Sequence, residues 1–232
     1  MALFAISDLH FGTGINKTMD VFGYKWVNHV EKTIENWKDT VTTDDTVIIP
    51  GDISWGNNLD EAKSDLDLID SLPGRKIMLM GNHDYWWQSL SKVCAAYPNI
   101  LFLQNNYYMY EDMAICGTRG WVCPNSVKFT KEDEKVYNRE QLRLKLSLDA
   151  AIKSGHGEKI MVVFHYPPVN ENHDRSGFIN ILEQYSEVKK VIYGHIHGIS
   201  SDSEIFEGLH NGIDYSLVSS DFLNFKPITI EI

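Results

Sequence analysis

The chain has 232 residues, a length that suits one large domain better than two. Its composition, 43% hydrophobic and 23% charged, is that of a globular protein and excludes a disordered or fibrous chain. The formal net charge of −11 argues against extended nucleic-acid ligands, because binding along a phosphate backbone requires a basic surface. We therefore predict a single domain over residues 1–232.

The apolar runs are short, and none approaches the roughly 20 residues that a membrane-spanning helix needs, so no membrane association is expected. The apolar segment 1–7 has no basic residue before it and is interpreted as a first strand rather than a signal peptide. The three cysteines, Cys94, Cys116 and Cys123, form no CxxC pair. This pattern favours free thiols and a cytoplasmic protein, with a Cys116–Cys123 disulfide as the alternative.

Short apolar runs alternate with segments of helical period, which predicts an α/β fold. The predicted elements are, in chain order, strand 3–7, helix 26–37, strand 46–49, helix 59–72, strand 76–80, helix 86–96, strands 100–103 and 113–116, helix 131–151, and strands 160–164, 190–193, 215–218 and 228–232. The crowding of strands toward the C-terminus predicts a second sheet that is partly antiparallel.

Residues of metal-ligating types follow five of the predicted strands. They form the segments Asp8-Leu9-His10, Pro50-Gly51-Asp52, Gly81-Asn82-His83-Asp84, His165 and Gly194-His195-Ile196-His197. Because ligands of open α/β sheets gather beyond the carboxyl ends of the strands, we expect these side chains to meet at one edge. Each segment alone is also typical of a polar turn, but together their carboxylate, amide and imidazole donors suit Mn, Fe or Zn.

The ordered series of motifs over residues 8–197 resembles that of the calcineurin-like metallophosphoesterase superfamily. The resemblance implies a two-sheet mixed β-sandwich flanked by helices, in four layers ordered α/β/β/α. It also implies two divalent metal ions, with Mn favoured over Fe and Zn. One ion would be held by Asp8, His10 and His197, the other by Asn82, His165 and His195, and Asp52 would bridge the two.

Two such ions would generate a bridging hydroxide that attacks phosphorus. His83 would act as general acid on the leaving oxygen, and Asp84 would orient its imidazole. Arg119 is a candidate for binding the substrate phosphate, with a structural salt bridge as the equal alternative.

Five aromatic residues lie in or beside the loops that carry these motifs. The aromatic residues could stack on a base or aryl group, or fill the core. They are Tyr24, Trp55, Tyr85, Trp86 and Trp87. His173 and His210 match no ligand position, and His29 and His156 are expected at the surface.

The predicted function is metal-dependent hydrolysis of a small phosphomonoester or phosphodiester. One alternative is a nuclease or cyclic-nucleotide phosphodiesterase that uses the same ions, although the net charge of −11 weighs against extended nucleic acid. Another is a metal-binding scaffold without turnover. The presence of every motif residue, including His83, weighs against the scaffold.

Overall fold

A computed structural model describes residues 1–125, 128–199 and 204–231. The strands, in chain order, are β1 Leu3–Ala5, β2 Thr46–Ile49, β3 Arg75–Leu79, β4 Leu101–Leu103, β5 Tyr107–Tyr110, β6 Met113–Thr118, β7 Ile160–Phe164, β8 Val188–Tyr193, β9 Gly208–His210, β10 Ile213–Leu217 and β11 Ile228–Thr229. The α-helices are α1 His29–Thr40, α2 Leu59–Ser71, α3 Leu90–Ala96, α4 Lys131–Lys153 and α5 Gly177–Leu182. Short 3-10 helices at Thr13–Ile15, Asp20–Phe22 and Tyr24–Trp26 lie between β1 and α1.

The strands form two sheets. The first has the spatial order β11-β1-β2-β3-β4, in which β1 to β4 are parallel and β11 pairs antiparallel with β1. The second has the order β5-β6-β7-β8-β10-β9, with a parallel centre and antiparallel strands β5 and β9 at its edges. The predicted second, partly antiparallel sheet is confirmed, and in both sheets the antiparallel pairings lie at the edges.

Successive residues of the central strands point to opposite faces, as the pleat requires. In β1, Leu3 and Ala5 belong to the core between the two sheets, whereas Phe4 packs on the outer face of the first sheet. Helices α1, α2 and α3 cover that outer face, and α4 and α5 cover the outer face of the second sheet. These layers confirm the predicted four-layer α/β/β/α sandwich.

Local sequence explains where the longer helices begin and end. The Asn58 side chain accepts a hydrogen bond from the backbone N–H of Glu61 and caps α2, which ends just before Pro73-Gly74. Thr130 and Asp133 form a reciprocal capping box at the start of α4. Within the described ranges, none of the helices is both long and apolar enough to cross a membrane.

Some element boundaries differ from the prediction. Helix α1 begins at His29, because Trp26 lies in a separate 3-10 helix. Helix α3 begins at Leu90 rather than at residue 86, since the indoles of Trp86 and Trp87 are buried and donate hydrogen bonds to Asp84 and Gln104. The edge strand Tyr107–Tyr110 was not predicted, because it lacks alternation of polar and apolar residues.

Candidate metal centre

The five motif segments meet where the carboxyl ends of the two sheets lie side by side. Strands β1, β2 and β3 of the first sheet lead into Asp8, Asp52 and Asn82. Strands β7 and β8 of the second sheet lead into His165 and His195. The cluster therefore lies across the junction of the two sheets, and each sheet contributes part of the donor set.

Four residues of this cluster adopt the left-handed backbone conformation, which is uncommon for residues other than glycine. Their φ angles are 59° at Asp8, 47° at His10, 50° at Asp52 and 73° at His195. Each such conformation costs on the order of 1–3 kcal/mol and persists only where the surrounding structure enforces it. Four of the twelve non-glycine residues with positive φ in the described part of the chain thus lie in this one cluster, as is common at functional sites.

Glycines allow the turns to approach one another closely. A Cβ atom at Gly81 would collide with the backbone N and the carboxylate of Asp52. A Cβ atom at Gly194 would collide with the side chains of Ser7 and Asp8. At both positions the absence of a side chain lets the turn lie directly against its neighbour at the site.

Asp8, His10 and His197 form a first group of candidate ligands. Their donor atoms all lie within 4.8 Å of one another. The Nε2 atoms of His10 and His197 face each other at 3.3 Å, and His197 Nε2 is 3.4 Å from Asp8 Oδ1. Asp8 Oδ1 is buried and has no hydrogen-bond partner among the described residues. A buried carboxylate oxygen without a donor, next to two imidazole nitrogens, fits a bound cation.

Asp52, His165 and His195 form a second group, again with donor atoms within 4.8 Å of one another. Asn82 Oδ1 lies 2.7 Å from His165 Nε2, which adds an amide oxygen to this group. The two carboxylate oxygens of Asp52 face different groups. Oδ1 is 3.5 Å from His165 Nε2, and Oδ2 is 3.7 Å from His10 Nε2.

Burial strongly affects the protonation of these side chains. It lowers the pKa of His165 to about 3 and that of His195 to about 4, so both imidazoles are neutral near pH 7. Burial, followed by the charges of Asp8 and Asp84, raises the pKa of Asp52 well above its usual range. Neutral imidazoles beside crowded carboxylates are the electrostatic arrangement that a divalent cation stabilises.

Asp221 is a site residue that the sequence analysis missed. Its Oδ1 atom lies 2.8 Å from His197 Nδ1, and its Oδ2 atom accepts a hydrogen bond of 2.9 Å from the backbone N–H of Gly198. Although burial opposes protonation, the hydrogen bond from His197 to Asp221 and the neighbouring Asp8 carboxylate raise the pKa of His197 to about 10. A signal was present in the sequence, since Ser219-Ser220-Asp221 is a polar segment just after a predicted strand.

His83 lies at the rim of the cluster. Its backbone N–H donates to Asp52 Oδ1 at 2.8 Å, which fixes the turn beside the candidate ligands. Its half-buried imidazole packs against Trp55, with ring centroids 4.5 Å apart. Within the described part of the chain, this imidazole has no hydrogen-bond partner and can face a ligand.

The predicted role of Asp84 in orienting His83 is not supported by the geometry. The fully buried Asp84 carboxylate accepts hydrogen bonds from the backbone N–H groups of Ile53 and Gly81 and from the indole of Trp86. Among the described residues, no hydrogen bond joins it to the His83 imidazole. Asp84 instead ties together the turns that follow β2 and β3, because its carboxylate satisfies their backbone donors.

The aromatic candidates divide into three environments. Trp55 stacks on His10 with centroids 4.9 Å apart, and Lys17 Nζ lies 3.4 Å from the centroid of the Trp55 ring. Tyr24 and Tyr85 are exposed, whereas Trp86 and Trp87 are buried in the core and are unavailable for stacking on a ligand.

The expectation for His29 is wrong. This residue is buried, and its Nε2 atom lies 3.2 Å from the backbone oxygen of His10. It thereby supports the turn that carries the candidate ligand. The sequence around His29 does not predict this contact with His10, because the two residues are 19 positions apart.

Arg119 occupies the end of β6, next to the turn that carries His165. Its backbone oxygen accepts hydrogen bonds from the N–H groups of His165 and Tyr166. Its guanidinium carbon is 4.8 Å from the centroid of the Trp121 ring, and its buried Nε has no hydrogen-bond partner among the described residues. Within those residues Arg119 forms no salt bridge, which removes the structural alternative considered for it.

Comparisons with known proteins agree with this architecture. Residues 1–198 match the sequence model of the calcineurin-like phosphoesterase family. The structure of phosphopantetheinyl hydrolase (PptH) from Mycobacterium tuberculosis is 15% identical, with a TM-score of 0.56 over 99% of this chain and 95% of that one. The structure of TT1561 from Thermus thermophilus is 10% identical, with a TM-score of 0.57 over 99% of this chain and 97% of that one. At these identities the likeness shows the fold alone. A search of the curated proteins gave no match.

Proposed function

Since the chain belongs to the calcineurin-like phosphoesterase family and is a metal-dependent phosphoester hydrolase, we propose that it works with two divalent cations. One would be held by Asp8, His10 and His197. The other would be held by Asn82, His165 and His195, with Asp52 shared between them. The observation that carries the proposal is the position of Asp52, whose two oxygens face the two donor groups at 3.5 and 3.7 Å.

The charge balance of the donor set supports this arrangement. When bound, a pair of divalent ions supplies positive charge for a phosphate and lowers the pKa of a water molecule to near neutral. Asp8 and Asp52 are the only carboxylates in the two donor groups of the described residues. The remaining donors are neutral once a metal ion replaces the proton on His197, so part of the cationic charge stays available for an anionic substrate.

His83 is the proposed general acid for the leaving oxygen. Its imidazole is half-buried beside Trp55, free of hydrogen bonds within the described residues, and next in sequence to the candidate ligand Asn82. Burial, followed by the charge of Lys17, lowers the pKa of His83. An incoming phosphate places negative charge beside this ring and favours its protonated form.

Arg119 is the proposed substrate-binding cation. A guanidinium whose buried Nε lacks a partner can donate hydrogen bonds to a phosphate oxygen without first breaking an ion pair. Its backbone bonds to His165 and Tyr166 hold it at the second-sheet side of the candidate centre. The substrate would be a small phosphomonoester or phosphodiester, since the net charge of −11 opposes an extended nucleic acid.

Manganese is the favoured metal, with iron and zinc as alternatives, because the donors combine carboxylate, amide and imidazole groups. A cytoplasmic location is supported by three cysteines that are free in the described structure. Neither proposal alters the assignment of the ligands.

Elemental analysis of the purified protein, combined with assays on 4-nitrophenyl phosphate and its bis ester in Mn²⁺, tests the dinuclear proposal. Wild type should bind two equivalents of metal and hydrolyse at least one ester. Asp52→Asn should retain less metal and lose most activity, whereas Asp44→Asn, at an exposed position, should match wild type. A single equivalent of metal in a fully active wild type would overturn the shared role of Asp52.

A further inference from the structure

A cavity of about 430 Å³ opens beside the candidate metal centre, on the side of the second sheet. Its walls come from the segments after β6, β7 and β8 and from the segment before β9, and they include Val122, Tyr166, His195 and Phe206. The volume is within the range of cavities that hold small organic ligands.

The cavity and the candidate centre share two side chains. The rings of Tyr166 and His195 lie with centroids 4.1 Å apart, and both residues line the cavity. His195 also contacts His165 of the second donor group, with ring centroids 5.1 Å apart. A molecule that fills the cavity therefore has one end next to the donors that would hold a metal ion.

The walls of the cavity are mainly apolar and well fixed. Val122, Val169, Ile196 and Phe206 supply aliphatic and aromatic surface. The Phe206 ring packs between those of His210 and Tyr215, at centroid distances of 4.3 and 4.8 Å. Because Phe206 is held by neighbouring rings, the far wall is preformed and needs little ordering when a ligand binds.

The charged residues that line the cavity have one sign. Among the described lining residues there is no lysine or arginine, whereas the exposed acids Glu171 and Glu204 are part of the rim. An anionic group placed here would meet like charges, and none of the described lining residues is a lysine or arginine that could pair with it. An uncharged group meets no such repulsion, and burial of its apolar surface stabilises the complex.

From these contacts we propose that the cavity binds the alcohol portion of the phosphoester, and that this portion is uncharged and largely apolar. The inference rests on the proposed function, since it assumes that the phosphoryl group occupies the metal centre. Tyr166 and His195 mark the point where the ester oxygen joins the two parts. The substrate class is thus an ester of phosphate with an apolar alcohol, rather than a nucleotide or sugar polyphosphate.

Binding of 2-naphthol to the whole chain, measured by calorimetry in the presence of Mn²⁺, tests the cavity without turnover. Val122→Trp fills the mouth and Val122→Asp adds a negative charge, and each should weaken binding by about tenfold or more. Val122 is 41% exposed, so neither substitution threatens the core. The matched controls Leu142→Trp and Leu142→Asp, on an exposed position of α4, should bind as wild type does. Equal binding by the Val122 and Leu142 variants would overturn the proposal.

Selectivity separates this inference from the function on which it rests. Wild type should have a kcat/KM for 2-naphthyl phosphate about tenfold or more above that for its 6-carboxy derivative, and Val122→Trp should remove most of that preference. Metal-dependent hydrolysis of both esters without preference would overturn the cavity proposal and leave the hydrolase proposal intact. Binding of 2-naphthol at the Val122 site without hydrolysis of either ester would overturn the hydrolase proposal, and the cavity would then be an apolar binding site unconnected with phosphoester cleavage.

Discussion

The Asp221 carboxylate lies 2.8 Å from Nδ1 of His197, so it fixes the ring with Nε2 directed toward Asp8 and His10. A carboxylate in this position selects the tautomer of a metal-binding histidine and orients its ring. The bond joins residues 24 positions apart, across the segment after β8 and the segment after β10.

Replacing Asp221 with asparagine should weaken metal binding. Loss of the charged partner of His197 should lower the affinity of the Asp8, His10 and His197 group by about 10–100-fold. Titration calorimetry with Mn²⁺ should therefore show one weakened and one nearly unchanged class of site. Asp44→Asn, a substitution of the same kind at an exposed position, should give the wild-type isotherm. Two unchanged sites in Asp221→Asn would contradict this role.

His83→Ala should reduce turnover and spare metal binding. General acid catalysis commonly contributes about 10²–10⁴-fold, so kcat should fall within this range. The loss should be smaller for esters with good leaving groups, because their oxygen needs less protonation. The measurement is kcat on aryl phosphates of graded leaving-group pKa, together with metal content. If metal is lost along with activity, His83 is a ligand and not an acid; His156→Ala, on the surface, serves as control.

Asp84→Ala should destabilise the fold more than a surface substitution would. The carboxylate accepts hydrogen bonds from Ile53, Gly81 and Trp86, and each buried donor left without a partner costs about 1–3 kcal/mol. The free energy of unfolding, from urea denaturation, should fall by about 3 kcal/mol or more. A variant with wild-type stability and reduced turnover alone would instead restore Asp84 to a role beside His83.

The thiols should react with strongly different rates. Burial raises the pKa of Cys116 and of Cys123 to about 12, so at pH 8 roughly one thiol in 10⁴ is ionised at each position. Cys94 is half-buried and should be the first to react with iodoacetamide in the native protein. Three thiols should react after denaturation without reductant. A count of one reactive thiol in the denatured protein would show that Cys116 and Cys123 form a disulfide.

Local patterns in the amino-acid sequence were sufficient to predict much of the architecture. Strands β2 and β7 were predicted with the bounds that the structure has, because apolar runs bounded by turn residues are local signals. The helix predicted over residues 131–151 is α4, which begins at Lys131 as predicted and ends at Lys153. The edge strand β5 was missed, since a partly exposed strand without alternation has no such local signal.

The sequence by itself determined which donors stand at the strand ends, because covalent spacing and the parallel arrangement of strands bring Asp8, Asp52 and His165 to neighbouring positions. Only the tertiary structure decided what those donors contact: it set Asp221 against His197 and directed Asp84 away from His83. Such partners depend on how two sheets pack, and packing between segments far apart along the chain leaves no periodic trace in the sequence.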